Sequence, residues 1–309
     1  MVTKARSRGA DVGQCQQRHS REGKSKVLRA RRHLPLSQRI ETLSIHLVLL
    51  VCTVTTLVPF LWMVSTSLKT DRDLFRYPPR LIPNPITYER YPAAFRDLPL
   101  VRGLLNSAKI AVLSTAGTVL SSSLAGYAFA KIRFKLRQGI FGVFLATLMI
   151  PWQVTLIPLY VTFSRIGWVD THLPLIVPKV LMNAYGVFLM KQFIQRIPDD
   201  YIESAQIDGA NHARIFWSII LPLVEPPLIT LGLFSFIGSW NSFLSPLIYL
   251  NTASKFTVQL VINTLRTVYY TEWGLLMAAA TIAILPILAL YSVAQRYFIQ
   301  GITLSGLKG

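Results

Sequence analysis

Six long apolar runs constrain this chain more than any other feature. They lie near residues 44–66, 104–130, 139–163, 173–193, 217–238 and 275–295, and each is about 20 residues or longer, the length that carries an α-helix across a hydrocarbon core. Lipid offers no water to satisfy backbone N–H and C=O groups, so a spanning segment must be a helix or part of a closed barrel. Runs of helix length predict an all-α, polytopic membrane protein with six transmembrane helices. Composition agrees, since 52% hydrophobic and 15% charged residues do not suit a water-soluble globule. Pro178 interrupts the fourth run, and Pro222, Pro226 and Pro227 interrupt the fifth; kinks or helix starts are expected there.

The net charge of +18 is unevenly placed. Residues 1–40 hold eleven Lys and Arg against Asp11 and Glu22, which is nine charges, half of the total. This segment lacks apolar residues for a core of its own and reads as a disordered cytoplasmic tail, its charge suited to an anionic membrane face rather than to nucleic acid. A membrane domain, 41–309, follows it. The first run continues for a full bilayer thickness with no small-residue cleavage site after it, so it reads as a retained span and not a signal peptide. Lys131, Arg133, Lys135 and Arg137 form a second acid-free basic segment. The positive-inside rule puts it on the same side as the tail, and the even number of spans between them agrees. Both termini are then cytoplasmic, and loops 67–103, 164–172 and 239–274 are external. The first of these is punctuated by Pro78, Pro79, Pro83, Pro85, Pro92 and Pro99 and reads as an ordered cover; the last has a helical pattern around Thr257 to Arg266.

Catalytic and metal chemistry find little support. Cys15 and Cys52 form neither a disulfide framework nor a tetrahedral metal site. Gly23-Lys24-Ser25 imitates the end of a phosphate-binding loop, but Arg18 stands where that motif needs glycine and no apolar strand precedes it. No cofactor or metal is implied. A polytopic membrane enzyme would need convergent His, Asp, Glu or Cys, and a stand-alone secondary carrier would need midplane charged sites related by an internal repeat. Neither pattern is visible. Glu225 lies about two turns inside the fifth run, where a helix start favours an acid, and His46 reads as a packed or interfacial histidine.

The segment 197–222 has a grammar of its own. Asp200 followed by Glu203 predicts a capping-box start, Gly209 a left-handed helix stop and Asn211 a cap for a second helix. The result is a rigid helix-turn-helix on the cytoplasmic surface. Its carboxylates Glu203 and Asp208 would offer a partner's arginine a charge-assisted contact, while Ala205 and Gly209 would permit close backbone approach.

Glu203-Ser204-Ala205, three residues, Gly209, nine residues, Ile219, one residue and Leu221-Pro222 resembles the EAA motif of ABC-importer permeases, with Ser204 where a second alanine is usual. Other segments resemble the carbohydrate branch of those permeases, the one containing maltose-type and glycerol-phosphate-type importers: Tyr77-Pro78-Pro79, Ile82-Pro83-Asn84-Pro85, Asn106-Ser107, Ala125-Gly126-Tyr127-Ala128-Phe129, Met149-Ile150-Pro151, Ile157-Pro158-Leu159-Tyr160, Trp240-Asn241 and the ending Gly301-Ile302-Thr303 to Lys308-Gly309. Only the tail lies outside the resemblance, and it is longer and more basic than the resemblance requires.

The resemblance implies a non-catalytic subunit of an ATP-driven, binding-protein-dependent importer in a bacterial cell membrane, forming half of a pathway for a sugar or sugar derivative. Implied partners are a second permease subunit, two ATPase subunits and an external solute-binding protein. It assigns ATPase coupling to Glu203, Ser204, Ala205, Asp208, Gly209, Ile219, Leu221 and Pro222. Because sugars are held by aromatic faces and amide hydrogen bonds, Asn183, Tyr185, Trp240 and Asn241 are the candidates for the substrate path.

Overall fold

The computed structural model describes residues 36–181, 183–266 and 271–306. The tail through residue 35, with Cys15 and Gly23-Lys24-Ser25, and the terminal Lys308-Gly309 lie outside the described residues. Two compact units, Met1–Phe60 and Leu61–Gly309, make up the chain. Among the described residues the structure is helical, with a single isolated bridge between Arg266 and Thr271.

In the first unit, helix α1 (Leu36–Ser67) begins inside the segment read as tail and runs on into the second unit. Its apolar side chains are turned outward, with Leu43 70% exposed, as a lipid-facing helix requires. His46 bonds back to its own helix, Nδ1 lying 2.6 Å from the Thr42 carbonyl oxygen, and Cys52 is free and exposed.

The second unit is organised around α3 (Leu100–Lys131), preceded by the short α2 (Arg90–Asp97). One face of α3 carries buried Gly103, Ser107, Ser114, Thr118, Ser122 and Gly126. Small residues let helix backbones approach in a membrane, where lipid competes evenly for larger apolar groups. At Gly126 the approach is tight enough that an added Cβ would stand 2.7 Å from Met190 Cβ and 2.9 Å from the Lys191 nitrogen. The elements received along α3 are α6 (Leu173–Leu181), α7 (Ala184–Ile194), α10 (Glu225–Trp240) and α12 (Val258–Asn263).

All six apolar runs are helical, and two are sharply bent. Glu41–Ser67, Leu100–Lys131, Leu173–Ile194 and Trp273–Gln295 are each long and apolar enough to span a membrane. The third run is a pair, Arg137–Met149 with Trp152–Arg165, bent by 99°, and the fifth is His212–Leu223 with Glu225–Trp240, bent by 82°. Counting each pair as one span gives six. We label Arg137–Ala146 α4, Trp152–Arg165 α5, Leu244–Tyr249 α11 and Trp273–Gly306 α13.

The bend in the fifth run falls at its prolines. Pro226 and Pro227 have no N–H to give to the carbonyls of Pro222 and Leu223, and the helix restarts at Glu225. Glu225 is exposed in the first turn of α10, where its charge meets the positive end of the helix. The bend in the third run, at Pro151, was not among the expected kinks. Pro178 lies inside α6, and Asn183 caps the start of α7 by accepting from Gly186 N at 2.7 Å.

The loop 67–103 is an ordered cover. Thr87 N donates to the Leu68 carbonyl at 3.0 Å, Ser67 Oγ and Tyr91 OH lie 2.8 Å apart, and Arg90 pairs with Asp71 at 2.6 Å. Asn106-Ser107 anchors the last loop on α3. Asn106 Nδ2 donates to the carbonyls of Ser254 and Phe256 at 3.0 and 2.9 Å, and Ser107 Oγ accepts from Val258 N at 2.9 Å. The helix expected around 257–266 is α12, flanked by Thr257.

Candidate functional site

The segment 197–222 folds as a helix-turn-helix: α8 (Asp200–Ile207), a turn, then α9 (His212–Leu223). The stop at Gly209 is a complete Schellman arrangement. Gly209 sits at φ +80°, its N–H donates to the Gln206 carbonyl at 3.0 Å, and Ala210 N donates to the Ala205 carbonyl at 2.9 Å. Asn211 then caps the second helix, its Oδ1 accepting from Arg214 N at 2.8 Å.

The expected capping box does not form. No side chain caps the start of α8; its flanking residue is Asp199, held in helical conformation, and Asp200 is already inside the helix. Lys131, at the end of α3, secures this end instead. Its Nζ lies 2.5 Å from Asp199 Oδ1 and also donates to the Ile197 carbonyl. Hydrogen bonding from Lys131, and then its charge, hold the Asp199 carboxyl below its ordinary range.

The underside of the pair is a core. Ile202, Ala205, Ile215, Phe216 and Ile220 are buried together with Tyr127 of α3, Met190 and Ile194 of α7, and Val224 and Leu231. Tyr127 OH lies 3.0 Å from His212 Nδ1, and its ring is 5.7 Å from that of Phe216. Within α9, Phe216–Ile220 is a π-helical turn, a widening that often marks functional segments. The loop is thus packed on α3 and α7 rather than suspended from them.

The coupling candidates divide between two faces. Glu203, Ser204, Asp208, Gly209 and Pro222 are exposed. Ala205 is buried, and Ile219 and Leu221 are partly buried against the same core. The reading of Ala205 as a point of close approach for a partner is therefore corrected, because its small side chain admits α8 to its own chain's core. Tyr201, Ile207 and Trp217, apolar and 53%, 87% and 57% exposed, join the outward face. The charge and glycine pattern of the segment does not mark them.

Among the four substrate-path candidates, Trp240 and Asn183 are taken up by contacts within the chain, while Tyr185 and Asn241 are exposed. Trp240 is buried at 2% exposure, stacks on Phe236 with ring centres 5.7 Å apart, and donates from Nε1 to the Ala283 carbonyl at 3.1 Å. It is a core residue holding α10 to α13. Asn241 is exposed, Tyr185 is 48% exposed, and Asn183 is spent on capping α7. Sequence reasoning also passed over Lys179, a cation within the fourth span whose Nζ donates to Ser239 Oγ at 3.0 Å, beside Trp240.

Residues 117–304 match the family described as "Binding-protein-dependent transport system inner membrane component". The chain belongs to that family. Relatives of this permease match over most of their length. The lactose transport system permease protein LacG of Rhizobium radiobacter is 32% identical over 268 residues, covering 86% of this chain and 96% of its own. The arabinooligosaccharides transport system permease protein AraQ of Halalkalibacterium halodurans is 32% identical over 254 residues, covering 81% and 91%. In fold, the permease superposes with TM-score 0.76 on a chain from the crystal structure of a bacterial ABC transporter involved in the import of the acidic polysaccharide alginate, at 21% identity, covering 85% of this chain and 98% of that one.

Proposed function

We propose that this permease forms half of the translocation pathway of an ATP-driven importer for a sugar or sugar derivative, and that α8 and its flanking turn transmit ATPase movement to the spans. The names of the relatives, which include lactose and arabinooligosaccharide permeases, support the sugar class. The partners would be a second permease subunit, two ATPase subunits and an external solute-binding protein. The tail, the 131–137 linker and α8 would face the cytoplasm.

The observation that carries the coupling reading is the two-sided construction of α8. Its outer face offers Glu203, Ser204, Ile207 and Asp208 to a partner, while Ile202 and Ala205 are buried against α3 and α7. Force applied outside reaches the spans because densely packed side chains move together instead of yielding singly. Glu203 would accept a charge-assisted hydrogen bond from a partner's guanidinium.

The test is transport by the reconstituted complex. Glu203→Lys replaces an acceptor by a cation on an exposed face, so the chain should insert and assemble but lose solute uptake and solute-stimulated ATP hydrolysis. Uptake at the wild-type rate would remove the coupling role from this face.

A further inference from the structure

A cavity of about 200 Å³ lies where three helix ends meet beside α8. Phe129 and Ala130 line it from the end of α3, Arg137, Gln138, Phe141 and Gly142 from α4, and Lys191 and Gln195 from the end of α7. The rings of Phe129 and Phe141 make an aromatic wall, centres 5.3 Å apart, and Lys191 Nζ stands 4.0 Å from the centre of the Phe141 ring. Arg137 donates once, to the Ile132 carbonyl at 3.3 Å.

Neither cation has an acid. The ion pairs among the described residues use Arg90, Arg96, Lys131 and Lys255, which leaves Arg137 and Lys191 facing one space with two carboxamides and no counter-charge. Two cations gathered without an acid repel one another, and an anion between them relieves that cost. A wider cavity of about 360 Å³ adjoins and shares Arg137 and Gln138, adding Arg133. Beside them Phe134 and Leu136 are 40% and 78% exposed, and further along α4 Ile140 and Val143 are 48% and 71% exposed. Cations bordered by outward apolar side chains match a headgroup with acyl chains below it, whereas a free ion has no use for the apolar border.

We infer that this cavity binds the phosphate of an anionic phospholipid, held by Arg137 and Lys191 with Gln138 and Gln195, its acyl chains lying along α4. The inference rests on the cytoplasmic placement of this end under the proposed function, since anionic lipid is offered by that leaflet. Its consequence is local. A bound headgroup would tie the ends of α3, α4 and α7 together, with Ala130 of its lining next in sequence to Lys131, which pairs with Asp199 at the start of α8.

Native mass spectrometry of the assembled transporter, purified from mixed phosphatidylcholine and phosphatidylglycerol and progressively delipidated, tests this. Wild type should retain phosphatidylglycerol preferentially, one molecule per copy of this chain. Arg137→Gln with Lys191→Gln should lower that retention roughly tenfold or more, the worth of one or two charge-assisted hydrogen bonds. Lys191→Arg should keep it, and so should Arg102→Gln at the other end of α3. Equal retention of the two lipids, retention by the double variant, or displacement of the lipid by millimolar inorganic phosphate would each overturn the assignment. Labelling of Gln138→Cys in sealed vesicles separates this from the topology. Reaction with an impermeant thiol reagent only from the outside would refute the cytoplasmic placement while leaving the lipid count standing.

Discussion

Gly209 holds φ at +80°, and an added Cβ there would meet nothing within 4 Å. The demand for glycine is therefore conformational and not steric within this chain. Gly209→Val should cost about 1 to 2 kcal/mol through the left-handed backbone alone, whereas Gly209→Asn, which tolerates that region, should cost less. Thermal unfolding of the solubilised protein measures the difference, and equal melting temperatures would contradict it. This residue was legible in the sequence, as was the Asn211 cap, because each acts through its own backbone neighbours. The Lys131–Asp199 pair was not, since 68 residues separate its members and only the fold shows which acid a basic linker reaches. The inward turn of Ala205 was hidden for a related reason: a small residue suits close approach from either side, and the motif does not say which.

At the scale of elements, the six apolar runs and the helical loop before α13 were readable, since periodicity and length need no partner. The 99° bend at Pro151 was missed, because a proline in a membrane helix is compatible with a gentle kink or a full break, and neighbouring helices decide between them. Trp240 carries the same lesson with a testable edge. An aromatic at the end of a span reads equally as an interfacial anchor or a sugar platform, yet here it joins α10 to α13. Trp240→Ala should cost about 3 kcal/mol or more of stability by emptying a packed site, while Asn241→Ala, exposed beside it, should leave stability unchanged. If the two substitutions shifted the melting temperature equally, Trp240 would not be a core residue.

At the scale of the whole second unit, its loops are clipped by charge. Asp170, at φ +58°, accepts from Asn251 N and Thr252 N at 3.0 and 2.9 Å, from Thr252 Oγ1 at 2.6 Å and from Lys255 Nζ at 2.8 Å. These bonds, Lys255 first, hold its carboxyl well below the ordinary 3.8. A carboxylate whose pKa falls on folding stabilises the fold above its ordinary value, and that contribution drains away as pH drops through the depressed one. Asp170→Asn should therefore lower the melting temperature at neutral pH, with the gap to wild type narrowing as pH falls below 3.8. A gap independent of pH would assign the clip to geometry alone.

At this scale too, the proposed coupling would have the outer face of α8 receive an ATPase subunit. Ile207, 87% exposed at the end of α8, is the most direct reporter of that contact. In a chain carrying Cys15→Ser and Cys52→Ser, the thiol of Ile207→Cys should react quickly with a maleimide when the permease is purified without its ATPase, and should be protected when the complex is assembled. Equal labelling rates in the two states would contradict the account.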